Sequence, residues 1–177
     1  MRISKKLDIE SVLCNIQYEA GLPILIGTCY RPPNSSDTYN NKIIDMLTLV
    51  GDTETFEVVI MGDFNLSGID FNTLSTTSTY SELFLEKTLN LFLTQHVSFP
   101  TINVTGGIGS TIDLVFTDEE QSVSEQKQCP PLGKSDHICI TFNVNIPCKR
   151  HCLDSQPKDL LNYWKGNNHK LNAKLNI

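Results

Sequence analysis

The sequence predicts a layered fold of the α/β (α+β) class, and three features predict it. Apolar, β-branched runs over residues 11–18, 22–30 and 56–61 have the length and composition of strands. Stretches with helical spacing follow residue 36 and again span about residues 80–91. The second and third runs end on structure breakers, Pro32-Pro33 and Gly62. Strands interleaved with helices are the pattern of helices layered on a sheet.

The first run, Ser11 to Tyr18, alternates in part, and Glu19-Ala20-Gly21 leads from it into the second as a hairpin turn. The second, Leu22 to Tyr30, is nearly continuous in apolar residues, as expected of a central strand buried on both faces. A helix is expected next, capped by Ser36 or Asp37, with Ile43, Leu47 and Val50 on one face and Gly51 at its end. Phe56 to Met61 then reads as a buried strand running into Gly62-Asp63-Phe64-Asn65. Thr79 and Glu82 have capping-box spacing at the start of a second helix, along which Leu83, Lys87 and Leu91 recur.

Beyond it, His96 to Phe99 is a short strand closed by Pro100, and residues 105–109 are a glycine-rich turn. Ser110 to Thr117 is a strand, Asp118 to Gln128 a polar loop, and Ile138 to Val144 a last strand. From Pro147 the chain turns basic and polar, and Leu160, Leu161, Tyr163, Trp164, Leu171 and Leu175 make a loosely amphipathic helical tail. Two helices cover one face of such a sheet, so its other face is expected to lack a partner from this chain.

Composition narrows the function classes. Twenty acidic against 14 basic residues give a formal charge of −6, without the Lys/Arg surplus on which sequence-independent DNA binding usually rests. An acidic balance suits carboxylates that hold a divalent cation, because the ion then brings the positive charge. No apolar run approaches the ~20 residues that span a bilayer, and no apolar stretch of a signal peptide follows Lys5 and Lys6. The expectation is a soluble, intracellular chain with no membrane and no protein partner in evidence. Of the six cysteines, Cys14, Cys29 and Cys139 lie in apolar runs and read as small buried hydrophobes. Cys148, His151 and Cys152 invite a zinc reading, but a structural zinc site wants a second ligand pair nearby, so ordinary thiols in a tail are the expectation.

Polar groups that end apolar strands carry the chemical interest. They are Tyr30, Asp63 and Asn65, Asp113 within its strand, and Asp136-His137 before the last strand. In open sheets, ligands and catalytic groups collect at that edge. Such a set has the parts for cleaving a phosphate ester. A carboxylate such as Asp63 can orient and deprotonate water. A second, Asp113, can hold the His137 imidazole in one tautomer. Asn65 and Tyr30 can donate hydrogen bonds to phosphate oxygens. Each piece also has a plain structural reading: Gly-Asp is a common turn pair, and alternation can point Asp113 to solvent.

In combination the motifs Gly27-Thr-Cys-Tyr-Arg-Pro-Pro-Asn34, Val59-Ile-Met-Gly-Asp-Phe-Asn65, Ser110-Thr-Ile-Asp-Leu-Val-Phe116 and Ser135-Asp-His137 resemble the endonuclease/exonuclease/phosphatase superfamily. Within it they are most similar to the endonuclease domains of non-LTR retrotransposons. The resemblance covers about residues 11–146 and implies a two-sheet sandwich of the deoxyribonuclease-like type, truncated to mainly the second sheet with its two covering helices. It implies residues 1–146 as the C-terminal part of such a domain and 147–177 as a linker with a helical tail, similar to the linker before a reverse transcriptase. It also implies a Mg2+ (or Mn2+) cofactor, DNA as partner, and nicking of one strand.

By the same resemblance Asp63, Asn65, Asp113 and His137 are catalytic, Tyr30, Asn65 and His137 meet the substrate phosphate, and Asp136 lies at the metal. Two departures stand out. The family's metal-binding glutamate and an earlier asparagine belong to a first half that precedes the tyrosine motif, and Glu10 and Glu19 stand too close to Tyr30 to replace it. Ile102 follows Pro100-Thr101 where this branch often has arginine. An impaired nuclease, a catalytically dead retroelement remnant and a phosphate-ester hydrolase of the same superfamily therefore all remain open.

Overall fold

The computed structural model describes residues 2–3, 8–17, 22–51, 57–102 and 109–145. The Glu19–Gly21 turn, the cysteine–histidine cluster and the helical tail lie outside the described residues. In chain order the elements are β1 (Arg2–Ile3), β2 (Ser11–Ile16), β3 (Ile24–Tyr30), α1 (Asp37–Gly51), β4 (Glu57–Asp63), β5 (Ile69–Asp70), β6 (Ser75–Thr76), α2 (Thr79–Asn90), β7 (Thr94–Gln95), β8 (Asp113–Thr117), β9 (Val123–Cys129) and β10 (Cys139–Val144). The expected mixed α/β class, a central sheet with two helices, is what the chain adopts.

Six strands form that sheet in the order β1-β2-β3-β4-β8-β7. β3 and β4 are parallel, with α1 as the crossover between them, and every other pair in the sheet is antiparallel. Alternation along the strands sends Leu13, Leu25, Val58, Ile60, Leu114 and Phe116 toward the helices. α1 answers with Ile43, Met46, Leu47 and Val50, spaced for one helical face, and α2 with Phe84 and Leu85. Phe64, just past β4, packs edge-on against Phe84 (5.4 Å between centroids) and Phe116 (5.8 Å), so the segment leaving β4 is anchored in the core.

Several local expectations need correction. α2 is capped by Ser78, whose hydroxyl accepts from the Ser81 amide, not by Thr79. Its buried face carries Ser81, Phe84, Leu85 and Thr88, while Leu83 is exposed, because the core lies about 150° around the helix from Leu83's direction. Ser36 does cap α1, accepting from the Tyr39 amide. The polar stretch 118–128 is no loop. It is a 3-10 turn at Glu120–Ser122 followed by β9, which pairs with β10 as an antiparallel ribbon. Glu125, Lys127 and Gln128 of β9 are exposed and its half-buried positions include Ser124 and Gln126, so apolar alternation was too faint to mark a strand.

The sheet face away from the helices is only partly open. Over β4 and β8 it is covered: Val59, Val115 and Thr117 are buried, and Met61 and Val115 share a cleft of about 220 Å³ with Ile138, Ile140 and Phe142. Over β2 it is bare, with Val12 49% and Ile16 41% exposed. Among the described residues no helix is long and apolar enough to cross a membrane.

Candidate functional site

The last residues of β3 and β4 and the first of β8 meet in a single row. Tyr30 is the Cα partner of Asp63, and Asp63 is the partner of Asp113. Alternation places Asp63 and Asp113 on the face away from the helices, on the same side as Met61 and Val115. Register alone therefore brings a phenol and two carboxylates from residues 30, 63 and 113 side by side. Tyr30 is 40% exposed, and both carboxylates are half-buried.

Gly62 lets β4 reach that row. Its φ is +149°, and a Cβ there would stand 1.8 Å from the Cys29 carbonyl oxygen, inside the backbone of the neighbouring strand. Only glycine fits. Beyond Asp63 the chain turns at Asn65, which sits in the left-handed region at φ 47°. The turn folds Asn65 back on the acid. Its amide N–H donates to Asp63 Oδ1 (3.0 Å), and Nδ2 donates to Asp63 Oδ2 (3.0 Å) and to the Arg31 carbonyl oxygen (2.8 Å). Both side-chain hydrogens are thereby engaged, so Asn65 must exchange one of these bonds before it can hold a phosphate oxygen.

His137 arrives from the loop before β10. Its Nδ1 stands 2.9 Å from Asp113 Oδ2, which fixes Nδ1 as the protonated nitrogen and leaves Nε2 for other partners. Ligand atoms of Asp63, Asp113 and His137 all fall within 4.8 Å of one another. Asp136 is exposed beside them, outside that cluster.

Charge at the site is mutually perturbing. Burial raises the pKa of Asp63, the Asn65 backbone hydrogen bond opposes that, and the facing Asp113 raises it further, for a net increase. For His137, burial by itself would favour the neutral ring. The hydrogen bond to Asp113 and the charges of Asp113, Asp63 and Asp136 outweigh burial and raise its pKa. Cys29, one residue from Tyr30, is buried next to this charge. Burial first, then Asp63 and Glu10, push its thiol up to about 12, so it is an inert thiol in the core.

One residue of the site escaped the sequence reading. Thr101 is fully buried, and its Oγ1 accepts from the amides of Ile112 (3.1 Å) and Asp113 (3.0 Å). Its carbonyl oxygen accepts from the Ile138 amide (2.9 Å), and the next residue, Ile102, bridges to His137. A single threonine thus ties the strand of Asp113 to the loop of His137. The Pro100-Thr101 pair was visible, but a hydroxyl's backbone partners are set by tertiary contacts. His96 bonds Thr117 Oγ1 at 2.6 Å, away from the row, and burial lowers its pKa.

The donor set can be tested against a divalent cation. The carboxylates of Asp63 and Asp113 are the hard oxygens that Mg2+ or Mn2+ prefers. The facing pair also raises Asp63's pKa, a repulsion that a cation between them would relieve. The imidazole fits less well, since it is a softer donor whose Nδ1 is already spent on Asp113.

Residues 24–141 match the sequence model of the endonuclease-reverse transcriptase family. Among solved structures, the fold is similar to the endonuclease domain of TRAS1, a telomere-specific non-LTR retrotransposon. The TM-score is 0.57 at 18% identity, over 77% of this chain and 64% of that one. It is also similar to an endonuclease/exonuclease/phosphatase family protein from Leptotrichia buccalis C-1013-b, with a TM-score of 0.53 at 19% identity, over 77% and 53% of the two chains. This chain therefore spans less than two thirds of the length of either. No curated protein sequence matches it.

Proposed function

Because this chain belongs to the endonuclease-reverse transcriptase family, we propose that its strand-end row cuts phosphodiester bonds in DNA as the nicking endonuclease of a retroelement. One observation carries this reading: Asp113 holds His137 at 2.9 Å while Asp63 stands beside them within 4.8 Å. A carboxylate next to a carboxylate-oriented imidazole is the minimum set for moving a proton from water and stabilising charge on a phosphate.

In this mechanism Asp63 orients the attacking water and takes its proton, with the Asn65 bonds keeping both carboxylate oxygens aimed. His137, kept protonated at Nδ1 by Asp113, presents Nε2 to a non-bridging phosphate oxygen. Its raised pKa favours the imidazolium, which suits that task. Tyr30, exposed at the end of the row, donates its hydroxyl to the phosphate, as Asn65 can on exchanging a bond. A Mg2+ or Mn2+ ion, when bound, would supply charge neutralisation at the phosphate, and Asp63, Asp113 and the exposed Asp136 carry the oxygens suited to hold it.

The test is nicking of supercoiled plasmid by purified protein with Mg2+ or Mn2+, alongside Asp63→Ala and His137→Ala. Nicking that both substitutions abolish supports the reading. A wild-type protein that binds metal but leaves the plasmid intact favours the catalytically dead remnant. Turnover of a phosphate monoester without nicking favours a phosphate-ester hydrolase.

A further inference from the structure

Arg31 occupies an unusual position for a charged side chain. It is only 7% exposed, and among the described residues it forms no ion pair with a carboxylate. Burying a guanidinium is costly unless its donors are matched. Here neutral acceptors take two of them: Nε donates to Asn40 Oδ1 of α1 (2.8 Å), and Nη1 donates to the carbonyl oxygen of Asn65 (3.1 Å). The Tyr80 ring of α2 lies 5.0 Å from the guanidinium carbon and completes the cradle.

The contacts with Asn65 close a circuit. Arg31 grips the Asn65 carbonyl, Asn65 Nδ2 returns a bond to the Arg31 carbonyl (2.8 Å), and the Arg31 amide donates to the Asp63 carbonyl (2.8 Å). Asn65 meanwhile sits in a left-handed conformation that costs energy and persists only where its surroundings hold it. The rigid two-pronged fork of arginine can span Asn40 and Asn65 at once, which a lysine ammonium cannot.

We propose that Arg31 is a positioning residue for Asp63, acting through Asn65: the fork locks the left-handed turn that aims the Asn65 amide at the acid. The catalytic consequence rests on the phosphodiesterase reading, but the positioning itself does not. A purely structural tie between α1 and α2 would stabilise the fold without governing the Asn65 side chain.

The experiment compares wild type, Arg31→Met, Arg31→Lys and Asn40→Ala, each checked for folding by thermal melting. The first readout is the Asn65 side-chain amide pair in 15N–1H NMR spectra, assigned by its loss in Asn65→Ala. In wild type both hydrogens are bonded, so the pair is dispersed and exchanges slowly with water. Arg31→Met and Arg31→Lys collapse the dispersion and speed exchange by roughly tenfold. Asn40→Ala, which frees only Nε, gives a smaller change in the same direction and serves where a harsher variant does not fold.

The second readout is nicking. Arg31→Lys lowers kcat by roughly 10–100-fold with KM nearly kept. Adding Arg31→Lys to Asn65→Ala costs less than it does alone, because the side-chain half of the path through Asn65 is already cut and only the backbone bond to Asp63 is left for the fork to hold. Folded variants that leave the Asn65 pair unchanged overturn the proposal. So does a loss of kcat on the Asn65→Ala background as large as the loss in otherwise wild-type protein. A wild type that does not nick overturns the phosphodiesterase reading instead, and the NMR comparison still decides the role of Arg31.

Discussion

Asp63 and Asp113 stand directly opposite one another as cross-strand partners on β4 and β8, so the sheet holds two carboxylates side by side on one face. Like charges in facing positions destabilise a sheet. Here the conflict is reduced by hydrogen bonding, with Asn65 donating twice to Asp63 and His137 bonding Asp113. What remains is a concentration of negative charge at a half-buried strand end, suited to a cation and to a water that must lose a proton.

Asp113→Asn should separate orientation from charge at His137. The amide keeps the shape but can no longer hold Nδ1 protonated through a carboxylate. We expect an intact fold by circular dichroism and nicking slower by about 10²–10⁴-fold. Unchanged nicking would remove the Asp113–His137 pair from the mechanism.

Thr101→Val should cost both stability and rate. The isosteric change strands the buried amide of Ile112 and the partly buried amide of Asp113, each costing roughly 1–3 kcal/mol when left unpaired. Urea denaturation should show a combined loss of about 2–6 kcal/mol, and the loosened start of β8 should slow nicking more than its stability loss explains. A variant as stable as wild type would show that the hydroxyl contributes no net support.

The His137–Asp113 pair should make stability fall as pH rises. His137 has a folded-state pKa above its ordinary 6.5, so the folded protein binds the proton more tightly than the unfolded chain. That contribution is complete below pH 6.5 and is lost as pH climbs through the raised folded value. In chelator-containing buffer, the stability gap between wild type and His137→Gln should therefore close over this window. A gap that widens with pH would mean the ring is bound neutral.

Gly62→Ala should be the most damaging single-methyl change in the chain's sheet. The new Cβ would meet the Cys29 carbonyl at 1.8 Å, and backbone cannot move aside there without breaking the β3–β4 ladder. A destabilisation beyond about 3 kcal/mol, or insoluble expression, is the expected outcome. A soluble variant that still nicks would mean the end of β4 is more plastic than its register implies.

By itself the sequence determined the layers and singled out the candidate site residues. Runs such as Leu22–Tyr30 and the Ile43, Leu47, Val50 spacing carry their periodicity locally, so β3 and α1 were legible. Asp63, Asp113 and His137 stood out as polar groups at strand ends, and the motifs around them pointed to the family. Tertiary structure decided what periodicity does not encode. β9 lay hidden in a polar stretch because polar residues such as Ser124 and Gln126 fill its half-buried positions, and the α2 cap fell to Ser78 rather than Thr79 according to which hydroxyl reached a free amide. The register that sets Tyr30, Asp63 and Asp113 in one row, and the contacts of Thr101 and Arg31 that hold it, are pairings between distant segments. Their energies exist only once the strands have met.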